Sequence, residues 1–512
     1  MRHLEEGGFA QAADLCRPLL AINPTDADAR FLLGLALGGL GQEGEAISLL
    51  FEVVAARPGH PDAHRELARI LAASGRRGEA ETQYRAAIGA TPRDPLTLCD
   101  FGRFLNEEGR HDEAGALAEA ALVIQPDLAT AHNLLGVARV GQGRMDAAVR
   151  ALRRAATFDP RNTAALANLG TALATEKRFA ESIDTFDKAL VIAPKDVTIR
   201  LNRGIALLKS GNFSDGWSEL EWRHLKSGRE KLPGAARLPK LSQTGSLDGR
   251  RIVVWHEEGF GDTIQFLRYM RLLAEAGATV TAWMPKELMR LAGRVTGVDR
   301  VLTGNITLSE FDYHCPINSL PYVFDTLLEK VPETVPYIDP DPDLVRSWSA
   351  KLPRGGRPRV GLVWSGEPRP YDLAAVQMDR RRSLRLAMLR PLTELPQVEF
   401  VSLQMGQASA ELASSPTLFD AMRDVSDFAD TAAIIANLDM VVSVDTAVVH
   451  LAGAMGKPVF LLDRYDNCWR WLAGREDSPW YPTMRIFRQE RPGEWAPVIT
   501  RAAAALKQIL TP

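Results

Sequence analysis

Residues 439–462 read DMVVSVDTAVVHLAGAMGKPVFLL. Two apolar, β-branched runs, 439–444 and 458–462, flank a helix-sized segment. The first run ends at Asp445, which is placed to cap a helix running to Gly456. There a glycine, followed by Lys457 and Pro458, stops the helix. Strand, helix and strand in so short a span imply two parallel strands joined by a crossover. Thr446 and His450 stand four apart and share one helix face. A helix start has free N–H groups and a positive dipole end, so this turn favours an anionic ligand such as a phosphate. The Thr446 hydroxyl and the His450 ring extend that donor set.

The same alternation runs outward in both directions. Upstream, RVGLVW (359–364) and VEFVSL (398–403) read as strands of the same unit. A closing helix at about 494–510 is expected to pack back onto an earlier unit. That earlier unit begins with the strand RIVVW (251–255) and a helix over 262–276, with Ile264, Leu267, Met270 and Leu273 on one stripe. It continues with TVTAWM (279–284), a helix over 285–294 opened by Pro285, and short strands near 299–303 and 311–315. Two such units in tandem place a cleft between the C-terminal ends of their strands, where open α/β sheets bind ligands.

The first turn of the earlier unit, WHEEGFGDTIQF (255–266), is crowded with acid. It has neither a GxGxxG fingerprint nor a P-loop lysine, so neither a dinucleotide loop nor a Walker loop is supported. Gly259 and Gly261 let backbone N–H groups approach a ligand closely. Asp262 is placed as the N-cap of the next helix. Glu257 and Glu258 exceed what capping needs, so Asp262 or Glu257 is a candidate base for an attacking hydroxyl. Basic side chains complete the picture: Arg380, Arg381, Arg382, Arg464, Arg470 and Arg475. Arginine grips a diphosphate with two parallel bonds, and Arg382 is the first candidate. Trp364, Trp469 and Trp480 suit either a core or a platform for a base or sugar.

The first half follows a different rule. Prolines stand at 24, 58, 92, 126, 160 and 194, at the tetratricopeptide period. Gly34, Ala68, Gly102, Gly136, Gly170 and Gly204 keep the same phase, and so do Gly41, Gly75, Gly109, Gly143 and Gly211 in the inter-helix turns. Lys177 interrupts that second series. Ala12, Ala46, Ala80, Ala114 and Ala148, with Ser182 next in phase, mark the second helix. Residues 3–23 match only the second helix of a repeat, so the array is expected to start upstream or to have been trimmed. Residues 1–228 thus read as a repeat domain resembling tetratricopeptide-repeat proteins. The Pro-, Gly- and Ser-rich 229–249 reads as a linker. A helix-pair superhelix offers a concave groove for a protein or peptide, or a surface for self-association. Asn133, Asn168 and Asn202, in or near one phase, are candidate peptide contacts.

Composition narrows the classes. The formal net charge of −3 argues against nucleic acid as the main partner. The four cysteines are far apart and form no CxxC pair, so neither a disulfide framework nor a zinc site is expected. No apolar run reaches the roughly 18 residues of a membrane span. A cytoplasmic protein is expected.

Taken together, GFGDTIQFLRY (259–269), HCPINSLP (314–321), RVGLVWSG (359–366), RRRSLRL (380–386), FVSLQ (400–404), 427–462 and WRWLAGREDSPWYPTMRIFRQ (469–489) resemble bacterial tetratricopeptide-fused glycosyltransferases. These are related to the heptosyltransferases of glycosyltransferase family 9. The architecture also resembles O-GlcNAc transferases and repeat-fused flagellin glycosyltransferases. The resemblance implies an α-solenoid followed by a GT-B fold of two Rossmann-like lobes: an acceptor-side lobe at 250–345 and a donor lobe at 346–512. It implies a nucleotide-sugar donor, no metal and no other cofactor. Asp262 matches the family's proposed base, and Glu257 and His450 are further catalytic candidates. Asp445, Thr446 and His450 match the motif around the donor sugar and phosphates, and Arg382 and Ser383 match the RS after the VWSG strand. Gly259, Gly261, Trp364, Ser365, Gln404 and Arg470 are further donor-site candidates. Where the family carries a lysine, EPRPYDLAAVQMDRRR (367–382) has none, and Arg369 or Arg380–Arg382 is expected to substitute. The implied function is inverting transfer of a sugar to a bacterial protein such as flagellin held by the repeats. The alternatives are a polysaccharide or lipopolysaccharide transferase and a non-catalytic scaffold.

Overall fold

A computed structural model describes residues 7–226, 234–353, 355–367 and 373–510. Two compact units emerge, one of residues 1–176 with 184–194, the other of 177–183 with 195–512.

Thirteen consecutive helices, from Phe9–Ile22 to Phe213–Leu220, carry the repeat pattern among the described residues. Each phased proline stands two residues past the end of a helix: Pro24 after Ile22, Pro58 after Ala56, and so on to Pro194 after Ile192. Proline has no N–H for the helical ladder, so it falls where the ladder has stopped. The turn glycines Gly41, Gly75, Gly109, Gly143 and Gly211 all have φ between 72° and 91°. Lys177, which interrupts the series, adopts the same left-handed backbone at φ 60°. The fold holds it there at a cost of about 1 kcal/mol. Ala46, Ala80, Ala114 and Ala148 are fully buried, and Ser182 with them. A Cβ on Gly136 would lie 2.4 Å from Leu152 Cγ, so glycine sets how closely those helices pack.

The second unit contains two parallel sheets. The first has β1 (Ala236–Arg237), β2 (Arg251–Trp255), β3 (Thr279–Trp283), β4 (Arg300–Leu302) and β5 (Tyr313–Pro316), ordered β1-β5-β2-β3-β4. The second has β6 (Arg359–Val363), β7 (Glu399–Ser402), β8 (Phe419–Asp420), β9 (Met440–Val444), β10 (Val459–Asp463) and β11 (Met484–Arg488), ordered β11-β10-β9-β6-β7-β8. Every neighbouring pair is parallel. In each sheet the chain winds one way and then crosses to the other side of its starting strand. The reversal falls between β2 and β5 in the first sheet and between β6 and β9 in the second. Both lobes are therefore Rossmann-like, as the strand–helix alternation predicts.

The differences from the sequence reading are local. β1 lies in the stretch read as a linker, where two residues suffice to extend β5. The short β8 and the Arg-containing β11 carry too little apolar pattern to stand out. The helix expected over 262–276 is two pieces, Phe260–Phe266 and Tyr269–Glu275. The closing helix, Ala496–Leu510, packs on its own lobe and not back onto the first. Val498, Ile499, Ala502 and Leu506 share a core with Phe460 and Phe487 of the second sheet. Trp364, Trp469 and Trp480 are all buried.

The last repeat helices, Val197–Ser210 and Phe213–Leu220, belong to the α/β unit. Trp217 Nε1 donates to the Thr326 carbonyl at 3.0 Å, and its ring meets Trp469 edge-on at 5.1 Å. Among the described residues no helix is long and apolar enough to cross a membrane.

Candidate functional site

The turns at the two sheet reversals are brought face to face. Helix Phe260–Phe266 starts after β2, and helix Ala447–Ala454 starts after β9. A Cβ added to Gly261 would lie 2.8 Å from His450 Cδ2 and 3.5 Å from the Ala447 Cα. Gly261 is thus where the helix of one lobe touches the helix of the other. Gly259 serves as N-cap of the first helix without a side-chain bond, and Asp262 sits inside its first turn. The expected capping role of Asp262 is therefore not realised. Gly259 ends the extended segment, and the carboxylate is left to point elsewhere.

Asp262 is ion-paired with Arg470 from the second lobe. Arg470 also donates to Gln265 Oε1 at 2.7 Å and lies 2.9 Å from Cys468 Sγ. Burial pulls the Arg470 guanidinium down to about 10, with Tyr481 and Glu258 opposing this. Arg470 spans the lobes; its bonds hold the carboxylate of the first lobe. Arg268 does similar work nearby, donating to the carbonyls of Pro332 at 3.0 Å and Trp480 at 2.9 Å.

Glu257 has a different fate. It is buried and paired with Arg223, whose Nη2 is 2.9 Å from Oε2 and whose Nε is 3.2 Å from both carboxylate oxygens. Arg223 also reaches Glu221 at 2.7 Å and Ser319 Oγ at 2.8 Å. Glu257 is thus the closing member of a buried ion-pair cluster. This placement corrects the reading of Glu257 as a base: its oxygens are occupied by one guanidinium. Glu258 is exposed and holds φ 64°, a left-handed conformation unusual for glutamate.

In the second lobe Thr446, not Asp445, is the N-cap, and its side chain makes no capping bond. Its hydroxyl lies 3.2 Å from Ser443 Oγ. The Asp445 carbonyl accepts from Arg382 Nη1 at 2.8 Å, while Arg382 Nε bonds Asp379 at 3.0 Å. His450 is buried, bonded through Nδ1 to Tyr481 OH at 3.0 Å and stacked on Trp471 at 5.3 Å. Burial lowers its pKa to about 4, so the ring is neutral at physiological pH.

Several donor-site candidates work as framework. The Gln404 carbonyl oxygen accepts from the backbone N–H groups of Trp364 at 3.0 Å and Ser365 at 2.9 Å. Its amide donates to the carbonyls of Ser365 at 3.0 Å and Met405 at 2.8 Å. Those four bonds use the whole amide, so Gln404 ties the ends of β6 and β7 and has nothing left for a ligand. The Trp364 indole is wholly buried in the second core, which corrects its reading as a donor contact. Ser365 Oγ donates to the Gly366 carbonyl at 2.9 Å, and Ser383 Oγ accepts from the Gly366 N–H at 3.0 Å. Arg381 lies 3.5 Å from Asp466. Arg369 lies outside the described residues.

Among the repeats, Asn168 Nδ2 donates to Asn133 Oδ1 at 2.9 Å, which uses part of their capacity within the array. Asn202 belongs to the other unit. Among the described residues no group of three or more His, Cys, Asp or Glu is placed to hold a metal ion. Sequence reasoning missed Arg223 and Tyr481. Neither partner is signalled locally, since Arg223 meets Glu257 across 34 positions and Tyr481 meets His450 across 31.

Tetratricopeptide-repeat models match residues 1–61, 133–197 and 39–96. The model of glycosyltransferase family 9 (heptosyltransferase) matches residues 426–503, which contain β9, β10, β11 and the helix bearing His450. Protein FlbA of Caulobacter vibrioides is 28% identical over 333 residues, 58% of this chain and 53% of the relative. The chain thus spans about half the length of the curated relative it matches. Among solved structures, the APC/C hetero-tetramer Cut9–Hcn1 is 18% identical with a TM-score of 0.42, covering 44% of this chain and 45% of that one. PilF of Pseudomonas aeruginosa is 20% identical with a TM-score of 0.35, covering 40% of this chain and 92% of that one. The chain combines tetratricopeptide repeats in its N-terminal region with a glycosyltransferase family 9 domain at its C-terminus.

Proposed function

We propose that this protein transfers a sugar from a nucleotide-sugar donor to a protein acceptor recognised by the repeats, with the two lobes working as a GT-B pair. One observation carries the reading. The helix starts at both sheet reversals meet, with Asp262 on one and Thr446 and His450 on the other.

In this reading the donor diphosphate lies at the Thr446 helix start. The unbonded N–H groups and the dipole there meet its charge, and Arg382 fixes the loop through the Asp445 carbonyl. The acceptor hydroxyl loses its proton to Asp262 as its oxygen attacks the anomeric carbon. The bond from that carbon to the diphosphate breaks, and the electron pair leaves with the phosphate oxygen. A single displacement inverts the anomeric centre. Arg470 holds the Asp262 carboxylate in place until substrate arrives. The helix dipole and the arginines stabilise the leaving group, so the step needs no metal. His450 stays neutral and supports the helix start through Tyr481. Nucleotide sugars are made in the cytoplasm, which sets the expected compartment. The partners are an acceptor protein, such as flagellin, and the donor.

The test is a thermal-shift panel of nucleotide sugars, followed by transfer to lysate proteins. A true donor at 100 times its Kd raises stability by about 2.7 kcal/mol. If no nucleotide sugar shifts the transition and no sugar is transferred, the reading fails. Transfer to a glycan, retained after removal of the repeats, would replace the protein acceptor with a polysaccharide.

A further inference from the structure

The two helices whose starts meet at the sheet reversals are also tied together at their ends. Tyr337 lies between Leu328–Lys330 and Pro342–Lys351, in the segment that leads from the first lobe to the second. It is buried. Its hydroxyl donates to the Ile264 carbonyl at 3.0 Å, with the Gln265 carbonyl at 3.3 Å. Both carbonyls belong to the last turn of helix Phe260–Phe266. The Tyr337 backbone N–H donates at 3.0 Å to the carbonyl of Ala454, the last residue of helix Ala447–Ala454. A helix leaves its final carbonyls without partners of its own, so they must be met from outside. Tyr337 meets one in each helix.

The hydroxyl is itself held in place. Arg268 Nη2 donates to it at 3.3 Å, which leaves the hydroxyl hydrogen for Ile264. The guanidinium lies over the Tyr337 ring, 4.9 Å from its centroid. Arg268 Nε and Nη1 fix the carbonyls of Gln265 at 2.9 Å and Pro332 at 3.0 Å. The next two residues stay with the first lobe: Ile338 bridges Val295, and the Asp339 N–H donates to the Arg294 carbonyl at 3.3 Å. Tyr337 is therefore fixed to the first lobe by its hydroxyl and by the chain that follows, and to the second lobe by its N–H.

We infer that Tyr337 is a positioning residue for the transfer: it joins the ends of the two helices and so sets the spacing of Asp262 and Thr446 at their starts. The inference rests on the transferase reading above. Eight helical residues span only about 12 Å, so a shift at the end of such a helix reaches its start. A misplacement of about 1 Å between reacting groups costs about 100-fold in rate. Tyr337 acts through Asp262 and not on the substrate.

Tyr337→Phe keeps the ring and the N–H and removes the hydroxyl. Tyr269→Phe is the matched control: Tyr269 is also buried, and its hydroxyl lies 2.8 Å from Thr326 Oγ1, a bond to neither helix. Both variants are measured in the full chain, by hydrogen exchange and by steady-state transfer to lysate proteins from a donor found by the thermal-shift panel. Tyr337→Phe is expected to lower kcat about tenfold with the donor KM unchanged, and to speed exchange over 260–266 several-fold. Tyr269→Phe is expected to change neither. A hydroxyl with a merely structural role would lower the melting temperature in both variants and kcat in neither. That result, an equal loss of kcat in both, or a loss confined to KM would overturn the positioning role. Absence of any nucleotide-sugar binding and transfer by wild type would instead remove the transferase reading, and this role with it.

Discussion

The two turns at the sheet reversals share a plan and differ in how their charge is held. After β2 two of the three acidic groups are matched, Glu257 by Arg223 and Asp262 by Arg470, while Glu258 is exposed. After β9 the helix start is left open, since Thr446 makes no capping bond and the ring behind it, His450, is neutral. The first turn is a set of fixed charges; the second is a set of unfilled donors. The proposed function uses that difference, with an anion at the second helix start and a base at the first.

The contrast is broken most severely at Glu257. Glu257→Ala leaves Arg223 buried with one carboxylate fewer, and a broken buried pair costs about 3–5 kcal/mol. Chemical denaturation reads this; a loss under about 1 kcal/mol would mean the cluster adds little. Next comes His450. Its pKa is pushed down from 6.5 to about 4, so its share of stability is full above about pH 6.5 and is lost as pH falls toward 4. The loss amounts to about 3 kcal/mol relative to a His450→Gln variant. Asp463, raised by burial to about 6, acts in the opposite sense between about 4 and 6 and cancels in that difference. Parallel pH profiles for the two proteins would contradict a buried neutral ring.

Gly261→Ala sharpens the comparison at the contact itself. The added methyl meets His450 at 2.8 Å, and overpacking there costs about 1–3 kcal/mol. A melting temperature equal to wild type would show that the helices separate freely. The smallest effect is expected at Thr446. A working N-cap is worth about 1 kcal/mol, whereas Thr446→Ala should change stability by less than about 0.5 kcal/mol. A full capping loss would show that the helix start is already satisfied.

Much of this was legible in the sequence where the signal is periodic. The 34-residue spacing placed the helix ends, because proline and left-handed glycine act through the local backbone alone. The strand–helix alternation gave both lobes, because buried parallel strands read as unbroken apolar runs. Short edge strands such as β1 and β8 escaped, since two residues carry no pattern. The site was legible as motifs but not as partners. Asp262 and Thr446 were identified, yet the capping roles were misassigned by one to three positions. Cap geometry depends on where the chain turns and not on residue type alone. Glu257 looked like a base because its partner, Arg223, lies 34 positions upstream in a short helix past the last repeat. Gln404 and Trp364 looked like ligand contacts because hydrogen bonds between strand ends leave no trace in sequence.

The most direct measurement is single-turnover transfer by Asp262→Asn against wild type, with a donor found by the thermal-shift panel. The account predicts a rate lower by about 100-fold or more, the usual worth of a general base, with donor affinity nearly unchanged. A variant that transfers sugar at the wild-type rate would contradict it.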